Sequence, residues 1–373
     1  MCMKVHIIDV NDINDKPQYG DCFLIEVEGK FILIDGGVHQ AGQKVRDYLD
    51  KIGVNTLELV VVTHVHSDHI DGIISSILRE GDEDNRININ QVWAPDPKYL
   101  APIMPSREAL LALTVDYEDP NYACFDSPGF SLRSIVSYNS FEGMLSQRGI
   151  PISYQMADIA HKPQTLGIPN FSVEVLGPSK ETLNTVLRRL KQIGGEKMKL
   201  ITNSERARLA GHSLKKMDLE LRGLYDNEND AINNTSLILK ITYKQTSFLF
   251  TGDAEIASLV TKKGGKLPYK MKKALQKKML NVSVFKAPHH GSVNGIDLNG
   301  KIITELVKPK NVVITAKAKD TDHPYFELLE KLRERHIPYY LTTRNRDGIV
   351  ITTDGLTELE FGEAKEGGDN PST

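Results

Sequence analysis

Apolar residues recur along the chain in short runs, and most of these runs have the length and the polar boundaries of β-strands. Runs of about four to eight apolar residues bounded by polar residues are typical of strands, whereas helices show a longer 3.6-residue period. We predict strands at Lys4–Asp9, Cys22–Val27, Phe31–Asp35, Leu57–Thr63, Gln91–Trp93, Phe171–Leu176, Ser236–Thr242, Ser247–Phe250, Val282–Ala287, Val312–Thr315, Tyr339–Thr342 and Ile349–Thr352.

Helices are predicted between the strands, near Gln43–Ile52, Ile70–Arg79 and Tyr325–Arg335. Strands that alternate with helices indicate an α/β fold. Two stretches, about 95–170 and 194–230, lack a clear pattern and exceed normal loop lengths, so we interpret them as insertions.

The chain is predicted to form one domain over residues 1–361. The tail at 362–373 is rich in Gly, Glu and Pro, and we expect it to be disordered.

Composition is that of an ordinary globular protein, with 40% hydrophobic and 25% charged residues among 373. No apolar run approaches the roughly 18 residues of a membrane span, and the N-terminus lacks the form of a signal peptide. Cys2, Cys22 and Cys124 are odd in number and widely spaced, which argues against a disulfide framework. We therefore expect a cytoplasmic protein that does not enter a membrane. The sequence does not indicate an oligomeric state.

Three histidines and two aspartates are concentrated in one ten-residue segment, Thr63-His-Val-His-Ser-Asp-His-Ile-Asp-Gly72. His64 and His66 follow a strand and share one side of it, because side chains alternate. Asp68 and His69 fall on the first turn of the next helix. Imidazole and carboxylate groups suit zinc, manganese or iron. A polar turn that happens to be rich in histidine is the alternative, but so dense a string is rare at ordinary residue frequencies. The segment predicts a metal site.

Four segments, in order along the chain, resemble the metallo-β-lactamase superfamily. They are the His-x-His-x-Asp-His string, Phe31-Ile-Leu-Ile-Asp-Gly-Gly37, Phe248-Leu-Phe-Thr-Gly-Asp253 and Val284-Phe-Lys-Ala-Pro-His-His-Gly-Ser292. Within the superfamily, the run Asn233-Asn-Thr-Ser-Leu237, the Thr-Gly-Asp-Ala-Glu turn and the Pro-His-His-Gly-Ser loop are similar to the hydrolase domain of bacterial DNA-uptake channel proteins and to phosphorylcholine esterases.

The resemblance implies a four-layer αββα sandwich with the site at one edge between the sheets and the insertions above it. It also implies two divalent ions, zinc or manganese, with a hydroxide between them that attacks the substrate. The implied ligands are His64 and His66 for one ion, Asp68, His69 and His290 for the other, and Asp253 as a bridge, with Asp35 supporting the site and Asp68 also orienting the hydroxide.

One ligand that the family usually has is missing. Most members place a third histidine for the first ion before the strand that leads to the Gly-Asp turn, but residues 230–236 contain none. Asn233 or Asn234 could supply an amide oxygen, or Asp230 a carboxylate, and an oxygen-richer site would favour manganese. The two asparagines could equally belong to a turn without metal contact. His161 and His212 lie in the insertions and would have to fold over to reach the ion.

The adjacent histidines of the Pro-His-His-Gly loop have different expected roles. By register with the family we expect His290 to bind metal and His289 to face the substrate as a hydrogen-bond donor. The alternative is a buried His289 whose ring is satisfied by the backbone.

His323 is a further candidate, because a histidine near a helix N-terminus suits an anion such as phosphate. Lys317 and Lys319 are close enough in sequence to add positive charge. The alternative is a simple helix entry, in which Asp322 caps the helix and Pro324 begins it.

Charge bears on the substrate class. The chain has 46 basic and 49 acidic residues, so no general affinity for nucleic acid follows. The stretch Lys262–Lys278, however, contains eight lysines and no acidic residue, and such stretches attract DNA or RNA. A solvated helix face is the alternative. A second basic cluster consists of Arg188, Arg189, Lys191, Lys197 and Lys199.

The resemblance implies a metal-dependent hydrolase, and its subgroup favours a phosphodiesterase or nuclease that acts on nucleic acid or a nucleotide. Two alternatives stay open. One is a hydrolase of a small carbonyl compound such as a lactone, thioester or β-lactam. The other is a metal-bound binding or regulatory module without turnover.

Overall fold

The computed structural model describes residues 2–10, 12–13, 16–17, 20–78, 86–102, 130–157, 163–209, 215–255, 280–292, 302–316, 323–342, 348–356 and 359–363. Among these residues the α-helices are α1 (Gly42–Lys51), α2 (Ser67–Ile73), α3 (Phe130–Gln147), α4 (Lys180–Leu209), α5 (Lys215–Asn233) and α6 (Phe326–Glu334). Shorter helical turns lie at His39–Ala41, Ile74–Leu78, Pro97–Tyr99, Pro288–Gly291 and Ile302–Val307.

The strands are β1 (Met3–Ile8), β2 (Asp12–Ile13), β3 (Lys16–Pro17), β4 (Phe23–Val27), β5 (Lys30–Ile34), β6 (Thr56–Leu57), β7 (Leu59–Val61), β8 (Asn88–Ile89), β9 (Val92–Ala94), β10 (Ile152–Tyr154), β11 (Phe171–Gly177), β12 (Ile238–Tyr243), β13 (Thr246–Phe250), β14 (Val284–Lys286), β15 (Asn311–Ile314), β16 (Tyr339–Leu341), β17 (Gly348–Thr353) and β18 (Leu359–Glu363).

Two large sheets are present in the described part of the chain. The first has the order β10-β9-β7-β5-β4-β1-β17-β18, and the second has the order β11-β12-β13-β14-β15-β16. β1 pairs with β4 and β17, so the N-terminal strand and the C-terminal strands share the first sheet. Strand pairs β2–β3 and β6–β8 form two small additional sheets.

Three clusters of buried apolar side chains pack between four layers, two of helices and two of sheets. Side chains of both sheets, such as Ile25 and Phe250, meet in the cluster between the sheets. A second cluster joins the first sheet to α1, α2 and α3, and a third joins the second sheet to α6. The αββα sandwich predicted from the sequence is therefore confirmed.

Side-chain alternation explains how one short strand serves two layers. In β7, Leu59 and Val61 point into the cluster between the sheets, whereas Val60 points to the helices. β5, β7 and β9 are parallel, and such strands read as continuous apolar runs because both faces are covered. β13, β14 and β15 are parallel in the second sheet. Residues that follow these strands gather at one edge of the sandwich.

The two predicted insertions contain helices that the sequence pattern did not reveal. In the first, α3 packs against α2, and the hydroxyl of Ser134 accepts a hydrogen bond from the backbone N–H of Ser67 at 3.1 Å. In the second, α4 and α5 pack against each other, with Lys197 Nζ 2.5 Å from Glu228 Oε2. The sequence pattern of α4 was hidden by Gly194-Gly195 in its middle, since glycine is unfavourable in a helix interior.

Several predicted boundaries shift by a few residues. α2 carries Asp68 and His69 in its first turn, as predicted, and a π-helical turn continues it to Leu78. β18 ends at Glu363, two residues inside the segment predicted as a disordered tail, and the remaining tail residues lie outside the described part. No helix in the described residues is long and apolar enough to cross a membrane.

The helix that carries the metal motif, α2, contacts the segment that follows β5. The contact involves Gly72 of the helix and Gly36 and Gly37 of the segment. The N–H of Gly72 donates to the carbonyl of Gly37 at 2.8 Å, and the N–H of Gly36 donates to the carbonyl of His69 at 2.8 Å. A Cβ at position 72 would lie 1.8 Å from the oxygen of Gly36, so an alanine side chain does not fit. This close approach fixes α2 against the sheet edge.

We expect Gly72→Ala to lower the free energy of unfolding by about 1–3 kcal/mol, the usual cost of overpacking, or more because the clash is with backbone. Urea denaturation of the metal-free protein measures this change. Gly143→Ala in α3 is the matched control, since a Cβ there meets no atom within 4 Å. Equal stability of the two variants would contradict the role assigned to this contact.

Candidate metal centre

The predicted ligands converge where strands of the two sheets end at one edge. Asp35 follows β5 and His64 follows β7 in the first sheet, while Asp253 follows β13 and His290 follows β14 in the second. All of these side chains are buried.

Four of the predicted ligands form a tight group. Ligand atoms of Asp68, His69, Asp253 and His290 all lie within 4.8 Å of one another. His69 Nε2 lies 3.3 Å from Asp68 Oδ2 and 3.4 Å from Asp253 Oδ2. His290 Nε2 lies 3.6 Å from Asp253 Oδ2 and 3.8 Å from Asp68 Oδ2. The structure therefore brings together residues from both sheets that are far apart in the sequence.

His64 and His66 lie beside this group. Nε2 of His64 is 3.1 Å from Nδ1 of His66, and the ring centroids of His64 and His69 are 4.1 Å apart. Burial lowers the pKa of His64 well below its ordinary value and lowers the pKa of His66 to about 4. Both imidazoles are consequently neutral near pH 7, which is the form that binds metal.

Asp35 contacts two residues of the motif, Thr63 and His69. Its Oδ1 accepts from the N–H of Thr63 at 2.7 Å, and its Oδ2 accepts from the Thr63 hydroxyl at 2.7 Å. Oδ2 also lies 2.9 Å from His69 Nδ1. A carboxylate on Nδ1 fixes the tautomer and leaves Nε2 directed at Asp68 and Asp253.

The carboxylate oxygens of the group lack well-aligned partners. Both oxygens of Asp68 and of Asp253, together with Nε2 of His69, are buried without an aligned hydrogen bond in the described residues. Buried polar atoms are nearly always satisfied, so such a concentration of acceptors fits a binding site for a cation. Nitrogen and oxygen donors of these types fit zinc or manganese.

The titration behaviour of the group follows from its charges. Burial acts to raise the pKa of Asp68 and Asp253, but the histidines beside them hold both well below the usual range. Burial likewise acts to lower the pKa of His69, yet Asp68, Asp253 and Asp35 raise it well above its ordinary value. The carboxylates and His69 therefore stabilise each other's charged forms.

The Pro288–Gly291 turn separates the two adjacent histidines. His289 and His290 have φ values of 46° and 53°, in the left-handed region that non-glycine residues rarely adopt. His290 is buried and its Nδ1 lies 2.8 Å from the carbonyl of Thr315, so its Nε2 faces the carboxylates. The His289 side chain is 16% exposed and its Nε2 is 3.9 Å from Asp253 Oδ2.

The alternative for His289, a ring satisfied by the backbone, does not match the described residues. Its Nδ1 has no hydrogen-bond partner among them. Burial lowers the pKa of His289 to about 4, so the ring is neutral near pH 7 and can donate a hydrogen bond.

His323 lies beside His289, with ring centroids 5.6 Å apart, and 6.4 Å from the ring of His290. The N–H of Tyr325 donates to the carbonyl of Gly291 at 3.0 Å and ties the two segments together. α6 begins at Phe326 with Tyr325 as N-cap, close to the predicted start, and the alternative in which Pro324 begins the helix does not hold. Asp322, Lys317 and Lys319 lie outside the described residues, as do His161, His212 and Lys262–Lys278.

Among the three candidates for the missing ligand, Asn233 is placed best. It is buried at the end of α5, and a hydrogen-bonding contact with it acts to raise the pKa of His66. The side-chain amide of Asn234 instead donates to the Asp230 carbonyl at 2.8 Å and to Glu255 at 3.0 Å. Burial, followed by the charge of Glu255, raises the pKa of Asp230 to about 7.

Sequence reasoning missed a buried ion pair at the same edge. Lys286, at the end of β14, contacts Asp21, which precedes β4, and both are almost fully buried. Burial acts to lower the pKa of Lys286, but Asp21 and Asp253 raise it above its ordinary value. A lysine between Phe285 and Ala287 in an otherwise apolar strand was the signal that could have revealed it.

The family model described as the metallo-beta-lactamase superfamily matches residues 15–73. The search of curated proteins found no match. Among solved structures, the chain is similar to Igni18, a metallo hydrolase from the archaeon Ignicoccus hospitalis KIN4/I, with 12% identity, 95% and 99% of the two chains covered and a TM-score of 0.43. It is similar to the metallo-beta-lactamase fold protein YhfI from Bacillus subtilis, with 11% identity, 93% and 98% covered and a TM-score of 0.42.

A diphosphatase of the PhnP family is a further similar structure, with 11% identity, 95% and 98% of the chains covered and a TM-score of 0.42. Residues 15–73, which the family model matches, include the whole His-x-His-x-Asp-His string.

Proposed function

We propose that the protein is a hydrolase that uses two divalent ions, zinc or manganese, to cleave a phosphodiester in nucleic acid or a nucleotide. The observation that carries the proposal is the group of Asp68, His69, Asp253 and His290, whose buried carboxylate oxygens lack aligned partners. No other arrangement in the described residues offers so many unsatisfied ligand atoms.

We assign the candidate ligands to two metal positions. Asp68, His69 and His290 would hold one ion, and His64 and His66 the other, with Asn233 in place of the usual third histidine. Asp253 would contribute to both positions. When bound, two such ions polarise the scissile bond and supply a nucleophile near neutral pH.

His289 and His323 would contact the substrate. They lie next to each other at the rim of the group, and the His289 ring is partly exposed. A neutral imidazole donates a hydrogen bond through its N–H, which suits the non-bridging or leaving oxygen of a phosphodiester. Asp68 would orient the attacking water.

Phosphodiesters are favoured over small carbonyl compounds by this histidine pair, by the subgroup resemblance and by the lysines at 262–278. The second basic cluster contributes less, because Arg189 is 3.0 Å from Asn227 and Lys197 is paired with Glu228 within the α4–α5 hairpin. A carbonyl hydrolase and a metal-bound module without turnover remain the competing functions.

Purified protein reconstituted with zinc or manganese tests the proposal. We expect about two ions per chain by elemental analysis and turnover of bis-(p-nitrophenyl) phosphate, with DNA, RNA and a thioester assayed in parallel. Asp253→Asn should keep the fold, lose one ion and lose nearly all turnover, since a neutral amide binds cations poorly. Wild-type metal content and rate in this variant would refute the placement of Asp253.

The outcomes separate the competing functions. Turnover of the thioester alone would favour the carbonyl hydrolase, and metal binding without turnover of any substrate would favour the binding module. Failure to take up metal would refute all three.

Alanine substitutions of the two adjacent histidines should have different effects on metal content and on rate. We expect His290→Ala to lower metal content, because its Nε2 faces both carboxylates. His289→Ala should keep the metal and lower the rate by about 10²–10³, the usual cost of losing one donor to developing negative charge. Metal loss in His289→Ala alone would reverse the two roles.

The lysines at 262–278 provide the test of a polymeric substrate. Replacing Lys270, Lys272, Lys273 and Lys277 with glutamine should weaken action on DNA and RNA but leave bis-(p-nitrophenyl) phosphate hydrolysis nearly unchanged. Wild-type activity on nucleic acid should fall steeply with salt, because bound phosphates release counterions. Equal activity of both proteins on nucleic acid across a salt series would assign these lysines to a solvated surface.

A further inference from the structure

The buried ammonium of Lys286 contacts the turn that presents Asp253. Nζ donates to the carbonyl of Gly252 at 3.0 Å and lies 3.6 Å from Oδ1 of Asp253. Gly252 has a φ of 49°, and a Cβ there would lie 2.8 Å from the hydroxyl of Thr63, so this turn has little room to adjust. Lys286 thus contacts both the backbone and the side chain of the turn.

The two oxygens of Asp253 consequently face different surroundings. Oδ1 faces Lys286, whereas Oδ2 lies 3.4 Å from His69 Nε2, 3.6 Å from His290 Nε2 and 3.9 Å from His289 Nε2. The histidine side is the side of the metal group. A positive charge beside Oδ1 repels a divalent ion from that oxygen.

Asp21 balances the lysine and links it to the His290 ligand. Its carboxylate contacts Nζ of Lys286, and its Oδ1 accepts from the Thr315 hydroxyl at 2.6 Å. The carbonyl of Thr315 in turn lies 2.8 Å from Nδ1 of His290. Asp21, Asp35 and His69 also group closely enough to hold a cation, but the ammonium of Lys286 already contacts Asp21.

We propose that Lys286, with Asp21 as its counter-ion, is a positioning residue that binds Oδ1 of Asp253 and leaves Oδ2 as the oxygen offered to the metal ions. The competing role is purely structural. Lys286 belongs to the second sheet and Asp21 adjoins the first, so the pair also joins the two sheets. The inference rests on the proposed metal-binding function.

A charge-matched double variant separates the two roles. Asp21→Asn with Lys286→Met removes one negative and one positive charge, so the net charge of the site is unchanged, and the asparagine oxygen can still accept from Thr315. Replacing a buried ion pair as a unit is often tolerated, whereas Lys286→Met alone would leave Asp21 uncompensated. Thermal unfolding of the metal-free protein checks that the variant folds.

Two measurements on the folded variant report on Asp253. Zinc affinity, from competition with a chelating dye, should fall about 10–100-fold, the usual effect of losing a group that orients a ligand. The visible absorption of the cobalt(II)-loaded protein should also change. Once released, Oδ1 can coordinate, and ligand-field bands weaken as the coordination number increases.

The control is a second largely buried lysine–carboxylate pair, removed as Lys197→Met with Glu228→Gln in the α4–α5 hairpin. This change should leave zinc affinity and the cobalt spectrum unaltered. If the methionine double variant does not fold, Asp21→Asn with Lys286→Gln, which keeps a donor toward the Gly252 carbonyl, replaces it.

A cobalt spectrum identical to that of the wild type in the folded double variant would overturn the proposal and leave the pair a structural one. Wild-type protein that takes up no metal would instead refute the proposed function itself. The two failures are therefore distinguishable.

Discussion

Buried carboxylates need compensating charges, and this need governs how the edge of the sandwich is built. Asp21, Asp35, Asp68 and Asp253 are each at most 1% exposed and lie at one edge between two apolar sheets. Isolated carboxylates in such surroundings would be protonated or would unfold the edge. Lys286 contacts Asp21 and Asp253, and His69 contacts Asp35, Asp68 and Asp253. The remaining imbalance, at Asp68 and Asp253, is what a divalent cation would neutralise.

This arrangement couples the metal centre to the stability of the sandwich. The ligands come from both sheets, so an ion bound between them joins the sheets as Lys286 and Asp21 already do. A ligand that binds the native state but not the unfolded state stabilises the protein in proportion to its affinity and concentration. We therefore expect the edge around Asp253 to be the part of the fold that responds most to metal.

The sequence predicted the layers well and placed the candidate ligands at a common edge, for a physical reason. Asp35, His64 and Asp253 follow the ends of apolar strands within three residues, and parallel strands end at a common edge. The prediction failed where local patterns are weak or contacts are distant. Gly194-Gly195 obscured α4, and the contact between Asp21 and Lys286 joins positions 265 residues apart, which no local pattern reveals.

The left-handed turn at His289 and His290 shows how one short segment can serve both the metal and the substrate. In an extended strand, successive side chains point to opposite faces, and the second histidine would be lost to the core. With φ values of 46° and 53°, both rings instead stay at the same edge, His290 against the carboxylates and His289 towards His323.

Such a conformation costs about 1–3 kcal/mol per residue. It persists here because the N–H of His289 donates to the Gly252 carbonyl, His290 is held by Thr315, and the Gly291 carbonyl accepts from Tyr325. The Gly252 carbonyl also accepts from Lys286, so the charge that balances Asp21 also supports the turn that presents both histidines.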